Sequence, residues 1–187
     1  MGDVASRTLD SDLASFYSGA QFSPCRRWRY SLWRRWDWQG HANVVAFVGL
    51  NPSTADASLN DPTIRRCINF AKSWGYGGIV MLNVFAYRAT FPVVLGEVAQ
   101  EGTDVIGPDN DEALGYYRSQ AGLIVVAWGT PGSVLRRQVN WDARLKQVLS
   151  GGCLGAAPLW CLGTTQDGSP RHPLYVKSDT RLARWDP

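Results

Sequence analysis

The sequence predicts an α/β fold: a three-layer sandwich in which helices cover both faces of a mainly parallel sheet of four or five strands. Three observations lead there. Short apolar runs recur at 44–48, 79–84, 123–129 and 159–163. Segments with helical spacing separate most of them, and such alternation predicts parallel strands joined by helical crossovers. Each run also ends in a glycine or a polar cluster, as strands do when their carboxyl ends carry the ligand loops.

In chain order, residues 1–22 lack clear periodicity and read as a loose or partly helical lead. Residues 27–38 read as a strand pair or a short covering helix. Val44 to Val48 is apolar without alternation, which suits a strand buried on both faces. Asp61-Pro62-Thr63 opens a helix with proline at its first position. Ile64, Cys67, Ile68, Ala71 and Trp74 follow at helical spacing, and Gly75 with Gly77-Gly78 ends it. Ile79 to Val84 is the second strand, and 91–104 reads as a long irregular connection. A helix is expected over 109–120, then a strand from Leu123. An amphipathic helix over 133–149 has Val134, Leu135, Val139, Leu145 and Val148 as its inner positions. Leu159 to Gly163 is the last strand, followed by a polar loop reaching Arg171-His172-Pro173-Leu174-Tyr175. No repeat or linker divides the 187 residues, so one domain is expected.

Composition excludes several classes. The net charge is only +3, but residues 25–38 read CRRWRYSLWRRWDW, with five arginines before the first acid. Trp28, Trp33 and Trp36 are interleaved with them and are expected to pack beneath the arginines. The four cysteines form no C-x-x-C pair, which disfavours a zinc ribbon and leaves buried reduced thiols as the reading. No apolar run approaches the roughly 20 residues of a membrane span, and no signal peptide is evident. A cytoplasmic protein without membrane association, acting as a monomer, is expected.

The strand ends supply the candidate chemistry. Asn51 is held between a strand end and Pro52, which restricts the residue before it. Its amide would position a water or read a substrate edge, or else close an Asx turn. Ser53, Thr54 and Asp56 continue the loop with oxygen-bearing side chains. Asp56 and Asp61 are candidate general bases, and Asp61 before Pro62 is equally an ordinary helix cap. Asn83 ends a buried strand, where an unpaired amide costs about 1–3 kcal/mol, so it must meet either a ligand or a neighbouring backbone. Phe85, Tyr87 and Arg88 follow with stacking surface and charge. His172 lies in a post-strand loop and is suited to donate to a developing anion or to act as acid or base; the other histidine, His41, lies in a polar turn. No Ser-His-Asp signature, Walker loop or H-E-x-x-H motif is present.

In order along the chain, Gly49-Leu50-Asn51-Pro52, Met81-Leu82-Asn83, Ala127-Trp128-Gly129 and His172-Pro173-Leu174 resemble the motifs of the uracil-DNA glycosylase superfamily. From about residue 25 onward the chain resembles more closely a bacterial and phage family catalogued as a domain of unknown function, whose hallmarks GLNPSTAD, DPTIRRC and RHPLY are all intact. The glycosylase resemblance implies a uracil-DNA-glycosylase-like fold and a monofunctional DNA glycosylase without metal or cofactor. It implies that Asn51 orients the attacking water, with Asp56 or Asp61 assisting. Asn83 would read the edge of a flipped base in a pocket shared with Leu50, Ser53 and Phe85. His172 would stabilise charge on the departing base, and Phe70, Tyr87 or Tyr175 would stack on it. Arg26, Arg27, Arg29, Arg34, Arg35, Arg65, Arg88 and Arg171 would contact DNA phosphates. Ser53 stands where the uracil-specific branch has a bulky tyrosine, which implies a roomier pocket. A modified pyrimidine is therefore the expected substrate, for example a glucosylated hydroxymethylcytosine of phage DNA removed in antiviral defence. Hydrolysis or transfer on free nucleotides or nucleosides is the alternative enzyme class, and a non-catalytic DNA-binding module the alternative outside enzymes.

Overall fold

The computed structural model describes residues 17–37, 44–53, 55–150, 153–155 and 157–187. Most of the expected lead (1–16), His41 and Thr54 lie outside them. The described residues form a mixed α/β fold around one seven-stranded sheet. In chain order the strands are β1 (Ser18–Phe22), β2 (Arg29–Arg35), β3 (Val44–Gly49), β4 (Gly78–Asn83), β5 (Leu123–Val126), β6 (Leu159–Cys161) and β7 (Ala183–Arg184). The helices are α1 (Pro62–Ser73), α2 (Pro92–Gln100), α3 (Asn110–Gln120), α4 (Ser133–Gln138) and α5 (Trp141–Val148).

Across the sheet the order is β1-β2-β4-β3-β5-β6-β7. The four expected strands are its parallel centre, β4-β3-β5-β6. The expectation of four or five strands falls short because β1, β2 and β7 add to the edges antiparallel. Part of the expected lead is therefore strand β1, and the arginine- and tryptophan-rich segment contributes strand β2 rather than a helix. Every residue of β3 and β4 is buried. That two-sided burial is why these runs are continuously apolar instead of alternating.

The two faces of the sheet carry two apolar clusters. Val45, Phe47, Ile79 and Met81 pack with Ile64, Cys67, Phe70 and Ala71 of α1. Val44, Ala46, Val48, Val80 and Leu82 face the other way and pack with Leu95, Leu114, Leu135, Trp141 and Val148 from α2 to α5. The alternation of these two sets along β3 and β4 is the period of two that a pleated strand imposes.

Four local expectations need correction. The connection over 91–104 contains α2, whose first residue is Pro92 and whose N-cap, Phe91, supplies no side-chain bond. The single helix over 133–149 is two helices, because Asn140 takes a left-handed conformation at φ 48° and redirects the chain. Val134, expected inside, is exposed, while Leu135, Val139 and Val148 are buried. Cys67, Cys153 and Cys161 are buried thiols, but Cys25 is exposed.

From β3 the chain crosses to β4 on one side and later to β5 on the other. The carboxyl end of β3 is thus a topological switch point, where the loops diverge and leave a crevice. The Gly49–Ser53 loop begins there.

Candidate active site

A cleft of about 900 Å³ opens at this switch point. Gly49, Asn51 and Ser53 enter it from the end of β3, Asn83 from the end of β4, Trp128 and Gly129 from beyond β5, and His172 from the loop after β6. The three residues central to the expected chemistry, Asn51, Asn83 and His172, therefore border one cavity.

Neighbouring backbone fixes the orientation of Asn51. Its Nδ2 donates to Pro52 O at 3.1 Å and to Ala89 O at 2.8 Å. Two carbonyls can be satisfied only by the amide's NH₂ end. The carbonyl end, Oδ1, has no partner among the described residues and is left as an acceptor. The loop is stitched to the segment after β4 by Val84 N to Gly49 O, Phe85 N to Leu50 O and Ala89 N to Pro52 O, each at 2.9 Å.

Asn83 is 2% exposed. Ile79 and Met81 point to the α1 face, so Asn83, two residues further on, points there too. Its Nδ2 is buried without a hydrogen-bond partner, an arrangement that costs about 1–3 kcal/mol unless a ligand accepts from it. The backbone around it is held from the opposite face. Asn110 Nδ2 donates to Asn83 O and Val84 O, both at 3.1 Å, and Arg144 Nε donates to Val84 O at 2.9 Å. Arg144 in turn pairs with Asp111 at 2.6 Å.

His172 caps the 3₁₀ turn Pro173–Tyr175, its Nδ1 accepting from Leu174 N at 3.3 Å. The ring proton accordingly resides on Nε2, which is left to donate. Burial holds the imidazole below its ordinary pKa, against the charge of Asp61, so the ring is neutral at neutral pH. The turn is anchored by Arg66 of α1, whose guanidinium donates to Pro173 O and Val176 O while lying over the Phe70 ring. DPTIRRC and RHPLY, far apart in sequence, are thus one assembly. Gly129, at φ 73°, takes a conformation that favours glycine and receives a backbone contact from the same loop, donating to Pro170 O.

The remaining expected residues divide. Leu50, Ser53, Asp61, Arg171 and Tyr175 border the cleft. Asp61 also caps α1, accepting from Ile64 N at 2.8 Å, as its helix-cap reading expects. Tyr175 is 81% exposed beside the His172 ring, 5.5 Å away. Asp56 does not border the cleft; its Oδ1 closes an Asx turn with Ser58 N and Leu59 N, and those bonds lower its pKa. Phe85 is core, tilted against Trp141, and Phe70 is core, stacked on Trp74. Tyr87 packs on the core and forms a bridge with Trp28. None of these three aromatics borders the cleft.

Among the arginines, Arg26, Arg27, Arg35, Arg65 and Arg171 are exposed. Arg34 is not a surface cation: it is buried and donates to Trp33 O, Asp56 O and the Asn60 side chain. Arg88 and Arg26 lie against the Phe22 ring. The interleaved tryptophans pack: Trp28 and Trp36 use their ring N–H groups on Asp104 O and Tyr76 O, and Trp33 lies against the core. The expected set of site residues omitted Arg66, Asn110 and Arg144. It placed Arg29 with the surface cations, whereas this residue is buried in the wall of the cleft. Arg66 lies in DPTIRRC and Arg29 in the arginine-rich stretch, but neither pattern reveals its role, and Asn110 and Arg144 lie in no motif, because each of the four acts on carbonyls distant in sequence. Among the described residues no group of three or more His, Cys, Asp or Glu side chains is arranged to hold a metal ion, and no helix is long and apolar enough to cross a membrane.

Comparison with known proteins adds one relationship. The model of the family described as "Protein of unknown function (DUF1643)" matches residues 29–174, and the chain belongs to that family. No curated protein and no solved structure matches it.

Proposed function

We propose that this DUF1643 member is a DNA glycosylase that hydrolyses the N-glycosidic bond of a flipped, modified pyrimidine, in a uracil-DNA-glycosylase-like fold. The observation that carries the reading is the convergence of three unpaired polar ends on one cleft: an acceptor at Asn51, a donor at Asn83 and a donor at neutral His172. Glycosidic cleavage needs this combination. The C1′–N bond breaks with its electron pair leaving on the base, positive charge builds on the sugar, and a water oxygen bonds to C1′.

Asn51 Oδ1 accepts from that water and orients it. An amide takes no proton at neutral pH, so the scheme is dissociative, with the water's proton passing to Asp61 or to solvent. Asn83 donates to the edge of the base. His172 donates from Nε2 to the oxygen on which negative charge grows, in a site where preorganised donors are most effective. The cleft lies near the upper end of the usual 300–1,000 Å³ range for ligand pockets. With the small Ser53 in its wall, that volume suits a pyrimidine with a bulky 5-substituent, such as a glucosylated hydroxymethylcytosine of phage DNA. Exposed Arg65 and Arg171 supply phosphate contacts that help offset the few kcal/mol of base flipping.

The test is to incubate the protein with DNAs carrying uracil, 5-hydroxymethyl and glucosylated pyrimidines and to score abasic sites. Abasic product on at least one modified base is expected. Product on none, glucosylated phage DNA included, removes the reading. Turnover of free nucleosides with none on DNA would replace it by monomer hydrolysis.

A further inference from the structure

Arg29 differs from the other charged side chains of the cleft in being only 2% exposed. It lies on β2, the strand beside β4, with its backbone N donating to Ala86 O just beyond Asn83. Nη1 donates to Ala55 O at 2.7 Å, and Nε is buried with no partner. Among the described residues no carboxylate comes within ion-pair distance of it. Burial lowers its pKa to about 10, Asp61 working against the shift and Arg88 and Arg34 adding to it. It is still a cation at neutral pH. A buried guanidinium without a counter-ion is costly to a fold, and a wall of a polar cleft is where that cost has a use.

We propose that Arg29 is the anion-binding residue of the cleft and donates to the departing base, taking up the negative charge that C1′–N cleavage leaves on its ring. This rests on the glycosylase reading. A backbone phosphodiester is the other anion a nucleic acid offers, and the depth of Arg29 argues against it: a backbone runs over the surface, within reach of exposed Arg171 at the same cleft, whereas Arg29 is 2% exposed and meets only a group that enters the cleft. A pyrimidine anion carries one delocalised charge, which a planar guanidinium with several donors matches well.

The experiment uses 5-fluorouracil, whose ring ionises in the mildly alkaline range, titrated calorimetrically into the intact protein below and above that ionisation. Wild type is expected to bind the anion about tenfold more tightly than the neutral ring, the gain typical of a charge-assisted bond. Arg29→Met is expected to lose the preference while keeping the affinity for the neutral form. If that variant does not fold, Arg29→Lys decides, and its preference must fall below that of wild type. Wild-type indifference to ligand ionisation overturns the proposal without any variant. So does an undiminished preference in the folded Met variant or, where only the Lys variant folds, in that one. Displacement of 5-fluorouracil by inorganic phosphate overturns the choice of a base as the anion. Abasic-site formation by Arg29→Met at the wild-type rate overturns the leaving-group role. Failure of the glycosylase reading looks different: no abasic sites from any DNA, with the Arg29-dependent preference for the anion intact.

Discussion

Gly49 and Asn83 are partners across the β3–β4 ladder, and a Cβ added at Gly49 would stand 3.0 Å from Asn83 Oδ1. The absence of a side chain at the end of one strand therefore makes room for the amide at the end of the next. Substitution Gly49→Ala displaces that amide by a few tenths of an ångström without demanding a new backbone conformation. Turnover on the preferred DNA is expected to fall about 10- to 100-fold, in keeping with the sensitivity of oriented sites to small displacements. The thermal midpoint should move little. Single-turnover abasic-site assays beside a melting curve check it, and unchanged turnover would detach Asn83 from the chemistry.

Asn51→Asp reads as conservative on paper but not in this loop. The carboxylate would face Pro52 O and Ala89 O, both of which now accept from Nδ2. Three acceptors without a donor cost about 1–3 kcal/mol. Asn51→Asp is expected to be less stable than Asn51→Ala, measured by denaturant midpoints, and neither variant should recover wild-type turnover. An Asp variant as stable as wild type would show that the amide is held some other way.

Acid should weaken the fold through His172. Its pKa is lowered from 6.5, by burial first, so on acidification the unfolded chain takes up the ring proton before the folded one does. Across that window the unfolded state binds more protons, and stability falls as pH drops from about 6.5, the loss being complete once the folded ring also protonates. Above about 6.5 the ring is neutral in both states and contributes no slope. Chemical denaturation at stepped pH, wild type against His172→Gln, should show this part of the dependence vanish in the variant.

Arg66 anchors the His172 turn without bordering the cleft. Arg66→Ala removes two charge-assisted bonds to Pro173 O and Val176 O, a loss of about 1.5–3 kcal/mol for each such bond if none is replaced. A looser turn should lower kcat by roughly tenfold or more, since orientation is what the anchor supplies, and change KM for DNA little. Backbone amide exchange at Tyr175, which donates to His172 O, should accelerate. A variant that loses kcat while that exchange stays slow would place Arg66 elsewhere in the mechanism.

The centre of the fold was legible because it is buried on both faces. Val44 to Val48 and Ile79 to Leu82 must be continuously apolar to lie between two layers, and that pattern needs no alignment to read. The edges were not. β2 carries Arg29 and Arg34, which in a linear sequence look like surface cations; both are buried because carbonyls from the Ala55–Asn60 stretch accept from them. Nothing local announces such a partner. Asn140 likewise interrupts a segment whose amphipathic spacing runs on as if unbroken. At the cleft, Asn51, Asn83 and His172 were readable because each ends a strand or follows one. Phe85 and Tyr87 were misplaced for a related reason: aromatic residues after a strand suit a pocket and a core equally, and packing decided between them.

The grip of Arg66 on the His172 turn runs through main-chain oxygens, which every amino acid possesses. The anchor therefore does not depend on which side chains the turn carries, and Tyr175, almost fully in solvent, adds nothing to it. The side chains of RHPLY are thus left to face whatever enters the cleft from this rim, while the main chain alone keeps the histidine aimed.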